Sequence, residues 1–514
     1  MATMTPQEYA ESAKSTYQKL EGLRNQFRDR ARKYSRLTLP YILPDDSSDT
    51  ASQDLMQGYS AEGGIGVNTL ANKYVNRMFP HYSYFKLNVP DEFIESSGLT
   101  KADVVRTSVA LEKKSMKHLQ KIGARAQFLE IKKHLIITGN YLLHKAEDEG
   151  QELVGYTIDN YVVQRDQRGK LLTCIAKDRT YLRALPEDIQ ALVIRELEVS
   201  EEEVYTKEVD LYTRIEYIEG EYLVVRSAES AYLNDEKRYK PEKLRWEPLV
   251  WHRYRKEPYG RGLVEDIYNA IYTHDVSSEV VLRAGAIAAD IKFFATRDSG
   301  IDIDAVNAAE SGTWHYGDVN KAGTLQVNKN ADLQIMKYLM DDAKQLIGQV
   351  FMRLNSALRE GERVTAEENR MRAIELDQMH GGIFSALANS LQYKVAVWTL
   401  DDVGADIEGT EIDVTIVTGI DALGRQAEAE QAVYLVSDLA QWQNVPEDIR
   451  DWVKFDAWVA FVSAGRNIDV SSIIRNRTEY EEYMNQKAQQ QQAFRGTQGG
   501  SQEMSPEVAA QGGI

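Results

Sequence analysis

Apolar residues along this chain switch period several times, and each switch marks a different kind of element. Thr5-Pro6-Gln7-Glu8 is a capping box with Pro at the first helical position, so a helix begins almost at once. Leu20, Leu23, Phe27, Ala31 and Tyr34 continue it in steps of three and four until Pro40 and Pro44. Its other face carries Arg24, Arg28, Arg30, Arg32 and Lys33, which reads as a solvated face, with a phosphate-facing surface as the alternative. Asp45 to Ser52 is a polar loop. Gly63-Gly64-Ile65-Gly66 then forms a flexible turn leading into a helix through Leu70, Tyr74 and Met78 that stops before Pro80. Further helices are expected over Ala102–Lys121 and, after a break at Gly123, over Ala126–Ile137, with Gly139 marking the end.

From Tyr141 the period becomes two. Tyr141–Lys145, Leu153–Ile158, Tyr161–Arg165 and Leu171–Lys177 read as short strands, with Arg168-Gly169 as a hairpin signal. Pro186 opens a helix to about Leu197, and the run Glu196 to Glu203 holds five glutamates. Strands return at Val209–Tyr217 and Tyr222–Ser227 around a Glu219-Gly220 turn, and again near Leu249–Tyr254. Residues 1–258 are therefore an α+β body.

Two long rods follow. The first, Leu263 to about Asp290, stripes Leu263, Ile267, Ile271, Val276, Val280, Ala284 and Ile287. Roughly 28 residues at about 1.5 Å each make it about 40 Å long. The second, Asp332–Leu358, places Met336, Met340, Ala343, Ile347, Val350 and Leu354 on one face, a seam for packing helix on helix. Between them lies a small insert with strand candidates at Lys292–Thr296, Gly312–Tyr316 and Thr324–Val327. An insert this small buries little of its own surface and needs partners. Neighbouring copies can supply them by pairing strand edges.

Asn355–Val364 is a tight excursion whose tip, Arg359-Glu360-Gly361-Glu362-Arg363, alternates in sign. Thr365–Glu368 is a second capping box, opening a helix to Leu400 with an interruption at Gly381-Gly382. A strand is expected near Ile412–Val417, and a helical region over Gln426–Ala464 contains Trp442, Trp452 and Trp458, read as packing residues. The end, from Gln489 onward, is low in complexity and reads as disordered.

The chain has 514 residues, enough for about two to four domains. Its net charge of −18 argues against gripping nucleic acid through a basic face, though not against letting DNA slide past. The lone Cys174 allows no intrachain disulfide and reads as an inert buried thiol in a reducing cytosol. No apolar stretch reaches the roughly 18 residues that span a bilayer, and no signal segment opens the chain, so a soluble protein without a membrane partner is expected.

Chemistry is hard to find. Gly64-Ile65-Gly66 lacks the remaining glycine and the Lys-Ser/Thr of a phosphate loop. The histidines never adopt a ligand spacing, and His118, His134 and His144 read as surface residues. Asp298, Asp302 and Asp304 offer a metal-dependent DNA-processing enzyme as one alternative. They read more simply as an exposed strand edge. No metal, cofactor or catalytic residue is expected. From 259 to 358 there are nine Lys/Arg against thirteen Asp/Glu, so a bore walled by these rods would not attract duplex strongly. The tip at 359–363 fits a DNA-touching loop tied between copies by Arg–Glu pairs, and equally a plain surface loop with weak pairs.

Six strings, in order, resemble one family. They are YVVQRD (161–166), ALPEDI (184–189), YGR (259–261), LNSA (354–357), GERVTAEE (361–368) and GIDALGR (419–425). The chain resembles the portal, or head–tail connector, proteins of autographivirus-type short-tailed bacteriophages. That resemblance implies a portal-type α+β fold: an α/β wing (1–258 and 365–419), a two-helix stem (259–291 and 331–354) and a β-containing clip (292–330). It also implies a tunnel loop (355–364), a helical crown (420–495) and a disordered tail (496–514). The function implied is a dodecameric ring at one capsid vertex, through which double-stranded DNA is packaged and ejected. Implied partners are the terminase and later the tail adaptor at the clip, the major capsid protein, and scaffold or internal core proteins. The place implied is the virion, after assembly in the host cytoplasm. Arg363, then Arg359, match the family's basic tunnel-loop residues. An internal capsid scaffold or core protein without a channel is the remaining alternative.

Overall fold

In a computed structural model, the chain is described over residues 4–44, 58–80, 83–90, 101–352, 386–405 and 412–416, apart from short stretches at 148–149, 151, 197–202, 230, 255, 290–291, 311 and 326–329. The chain divides into two units, Met1–Gly419 and Ile420–Ile514. Of the second unit only Met484 is described. The helical region expected over Gln426–Ala464, Trp442, Trp452 and Trp458 included, and the tail thus lie outside the described residues.

The Thr5 capping box is present, with Thr5 and Glu8 exchanging side-chain and backbone hydrogen bonds at the start of α1 (Pro6–Glu11). Helix α2 (Ala13–Arg36) corrects the solvated-face reading. Leu23 is 59% exposed whereas Arg24 is 1% exposed. Arg24 Nη1 donates to the Asp159 carbonyl and to Tyr17 Oη at 2.7 Å. Arg30 and Arg32 pair with Glu265 and Asp159. Arg24, Arg28 and Arg32 are covered alongside Phe27 and Ala31, while Lys33 stays exposed, because the carbonyl and carboxylate of Asp159 lie within reach of their long guanidinium side chains.

Helix α3 (Glu62–Met78) contains Gly63, Gly64 and Gly66 in its first turns, so the expected flexible turn is helix instead. A Cβ on Gly63 or Gly64 would strike the Leu37 and Thr38 carbonyls. The glycines are there for close approach. Strand β1 (Phe85–Asn88) was not expected. Helices α4 (Lys101–Lys121) and α5 (Ala124–Thr138) follow, separated by Gly123 at φ +65° and closed by Gly139 at φ +75°, as expected.

The strands β2 (Asn140–Lys145), β3 (Leu153–Tyr156), β4 (Tyr161–Arg165) and β5 (Leu171–Tyr181) precede α6 (Glu187–Glu196). Then come β6 (Glu208–Ile218), β7 (Glu221–Ala228), β8 (Ala231–Tyr239) and β9 (Trp246–Val250). All ladders are antiparallel, in a five-stranded sheet β4-β5-β6-β7-β8 and a three-stranded sheet β3-β2-β9. The Glu219-Gly220 turn joins β6 to β7 with both residues at positive φ, the geometry of a tight hairpin. β8 was missed because its sequence, AYLNDEKRY, is charged, which suits an edge strand. Helix α2 lies on the larger sheet, Tyr17 meeting Tyr212 edge-on at 5.6 Å between centroids.

The first rod is α7 (Leu263–Asp266) and α8 (Tyr268–Ala289), broken at Ile267. Leu263, Ile267 and Ile271 are buried, as expected, but Val280 and Ile287 are exposed. The five-residue step from Ile271 to Val276 turns the stripe by about 140°, off its own face. His274 and Ser277 occupy the covered side instead. The insert pairs β10 (Lys292–Ala295) with β11 (Ala322–Leu325), while Gly312–Tyr316 forms no strand. Asp302 is no strand edge: its carboxylate caps the short helix α9 (Ile303–Ala308).

The second rod, α10, spans Asn330–Val350 and stops well short of Leu358. Met352 turns the chain with φ +57°, and its carbonyl accepts from Lys73 Nζ at 2.7 Å. Helix α11 (Tyr393–Asp402) and β12 (Asp413–Ile416) complete the unit, β12 pairing β1 antiparallel. One large core joins α3, α5, α7, α11 and the ends of α8 and α10. The α+β expectation for the body is met.

Candidate functional site

The paired rods run antiparallel. Ile271 and Ile347 share one core cluster, Ser278 Oγ lies 3.6 Å from Met340 Sδ, and Lys292 pairs with Leu325 at the insert. Along the seam of α10, Ala343 and Ile347 are buried and Met336, Met340 and Val350 half-buried. Leu354 lies outside the described residues, as do Arg359, Glu360, Glu362 and Arg363 of the sign-alternating tip and the Thr365 capping box.

The base of the rods is fixed by polar clamps and by shape. Lys344 Nζ sits 3.2 Å from Glu62, and Asp275 Oδ1 accepts from Ser60 N at 2.9 Å. Phe351 seats on Gly66, where any side chain would collide with its ring. Sequence reasoning missed Gly66, Lys73 and Phe351. The signal was available in the glycines of an otherwise apolar helix, which mark a close approach.

Away from the base the picture inverts. Val280, Leu282, Ile287, Ile335, Leu339 and Leu346 are exposed, and Tyr338 is 74% exposed. The insert shows Phe294, Ile303 and Val306 to solvent, and Trp314 and Tyr316 are 99% and 97% exposed. A helix that is apolar on its outer faces as well as its seam belongs in an interior. Exposed apolar area on this scale marks an interaction surface.

The titratable groups of the body serve packing. Asp402, 1% exposed at its side chain, collects Lys145 Nζ at 2.8 Å, His118 Nε2 at 3.1 Å and Arg245 Nη1 at 3.4 Å. Contrary to the surface reading, His134 and His144 are buried and His118 is largely covered. His144 stacks on Trp246 at 3.7 Å, and His134 packs on Tyr141. Burial pushes both imidazoles down to about 4 and the Lys132 amine down to about 7. Lys132 Nζ, fully buried over the Tyr74 ring, has no hydrogen-bond partner among the described residues. Burial raises the Cys174 thiol to about 12, which removes its thiolate at neutral pH. Among the described residues no group of three or more His, Cys, Asp or Glu is placed to hold a metal, and no helix is long and apolar enough to cross a membrane.

Residues 10–474 match the family model described as bacteriophage head to tail connecting protein. The portal protein of Enterobacteria phage SP6 is 30% identical over 484 residues, covering 93% of this chain and 92% of the relative. The portal protein of Escherichia phage T7 is 29% identical over 521 residues, covering 98% and 94%. That of Pseudomonas phage phiKMV is 26% identical over 483 residues, covering 90% and 91%. Among solved structures, the neck of an empty GTA particle matches at 12% identity and a TM-score of 0.38, covering 73% of this chain and 86% of its own, a distant likeness.

Proposed function

The chain belongs to the family of bacteriophage head-to-tail connecting proteins, the portal proteins, and from that premise we propose that twelve copies form a ring at one capsid vertex, walling a channel for double-stranded DNA. In this reading residues 1–258 and 365–419 are the wing, the rods at 259–291 and 331–354 the stem, and 292–330 the clip. Residues 355–364 are the tunnel loop, 420–495 the crown and 496–514 a polar tail. The clip docks the terminase during packaging and the tail adaptor afterwards. The wing meets the major capsid protein, and the crown faces scaffold or internal core proteins. Assembly takes place in the host cytoplasm, and the finished ring resides in the virion.

One observation carries the ring. The rods and insert of a single copy leave Ile287, Ile335, Tyr338 and Trp314 uncovered, and neighbours around an axis would cover them without a different partner for each face. The mechanism is passive and the protein is not an enzyme. Rods with an excess of acidic residues wall a bore that does not bind duplex tightly, while Arg363 and Arg359 of each copy supply weak, repeated contacts at one level. The energy of translocation comes from the terminase.

Electron microscopy of the purified chain tests this. Rings with an open axial hole are expected. A monomer, or a solid assembly without a hole, would favour an internal core or scaffold protein instead.

A further inference from the structure

We propose that Trp314 and Tyr316 form a two-ring knob that seats on the insert of the neighbouring copy, against Phe294, Ile303 and Val306; the proposal rests on the ring reading above. The aromatic stretch is held in place. Gly312 and Gly317 bracket it at φ +94° and +153°, and Asp318 N donates to the Ser299 carbonyl at 2.8 Å. Gly317 lies against Ile301 too closely for any side chain. Thr313 Oγ1 bonds His315 Nε2 at 2.9 Å and the Glu310 carbonyl at 3.0 Å. The Thr313–His315 bond joins two alternate side chains of the stretch, and Trp314 and Tyr316 are the other alternate pair. At 99% and 97% exposure they touch almost nothing of their own copy. Tyr and Trp presented this way are the residue types that dominate binding surfaces.

A seat of matching character exists on the same insert. Phe294 on β10 and Ile303 and Val306 on α9 are exposed. The β10–β11 sheet that carries Phe294 has only two strands, below what a sheet needs to be stable alone. Knob and seat occur in one chain yet leave each other uncovered, which describes a head-to-tail contact that closes by rotation. The site also continues an apolar row on the rods. Ile287 lies just before β10 and Ile335 just after the start of α10, and both are exposed, so uncovered apolar groups occur on both rods where they meet the insert. These features favour a second copy over a foreign protein.

The test uses the full chain. Because Cys174 is buried, a cysteine at Trp314 can be paired in turn with one at Phe294, Ile303 or Val306, and the assembled protein oxidised. At least one pair is expected to give a ladder of covalent oligomers on a denaturing gel. In parallel, rings of Trp314→Ala/Tyr316→Ala should fall apart on dilution at protein concentrations about ten-fold or more above those at which wild-type rings do, with Trp314→Phe restoring most of the difference. Unchanged circular dichroism of the double variant would show that each copy still folds. Wild-type rings accompanied by variant rings of equal stability and no ladder would overturn the seat while leaving the ring reading intact. The same result with loss of tail-adaptor capture would assign the knob to a foreign partner and equally overturn it. A wild-type chain that forms no ring removes the premise and the proposal together.

Discussion

The ring of Phe351, one residue beyond the second rod, lies over Gly66 so closely that a single methyl group on the glycine would overlap it. Both residues are buried, and the contact ties the end of α10 to α3. Gly66→Ala should therefore destabilise the folded chain by about 1–3 kcal/mol, an overpacking cost that outweighs the helix propensity gained. Phe351→Ala should cost about 3–5 kcal/mol as a cavity. The two are not additive: removing the ring makes room for the methyl. In the Phe351→Ala background, Gly66→Ala should be close to neutral or stabilising, which a double-mutant cycle by denaturant titration reads directly. Additive penalties would mean that the two residues do not meet.

Asp402 joins α11 to Lys145 of β2, to Arg245 just before β9 and to the imidazole of His118 on α4. Asp402→Ala leaves Lys145, itself 1% exposed at its side chain, without that carboxylate. Breaking a buried pair from one side costs about 3–5 kcal/mol. Chemical denaturation should show a loss of that order. A loss under about 1 kcal/mol would place the pair among ordinary surface bridges.

Two buried bases set a pH dependence. His134 and His144 titrate near 4 in the folded chain because burial disfavours their charged forms, against about 6.5 when unfolded. Their folded pKa values are depressed, so the unfolded chain binds more protons in this window. Stability should be at its full value above about 6.5 and fall as pH drops toward about 4. Replacing both by Phe should flatten that part of the stability curve.

Lys132 has the same sign in a higher window, from its ordinary value near 10.5 down to about 7. Lys132→Met should raise stability at pH 7 by roughly 1–3 kcal/mol, since a buried amine with no hydrogen-bond partner among the described residues is replaced by an apolar chain. The gain should shrink as pH approaches 10.5. A destabilising substitution at pH 7 would contradict this.

Arg363, in the proposed tunnel loop, should matter for DNA rather than for folding. Particles carrying Arg363→Ala are expected to assemble rings normally and to retain less packaged DNA. Unchanged retention would count against a role in resisting back-slippage.

Much of the body was readable from local chemistry. The capping box at Thr5, the left-handed glycines at 123 and 139 and the Glu219-Gly220 hairpin each depend on a few adjacent residues. The seam on the second rod was readable because Met336, Met340, Ala343, Ile347 and Val350 repeat at one period. What failed depended on distant partners. Strand β1 needs β12, which lies more than 300 residues later in the chain. Arg24 is drawn inward by the Asp159 carbonyl, which no local pattern displays. The first rod misled because a stripe assembled across a five-residue step crosses two helix faces. For the ring itself, family membership and the exposed apolar residues of the rods point the same way.

Native mass spectrometry of the purified 58.3 kDa chain tests the central claim most directly. A closed assembly of about twelve copies, broken into smaller species when Ile335→Asp charges the exposed face of the second rod, is the predicted result. A wild-type chain that stays a monomer at every concentration, with the same spectrum for the variant, would contradict it.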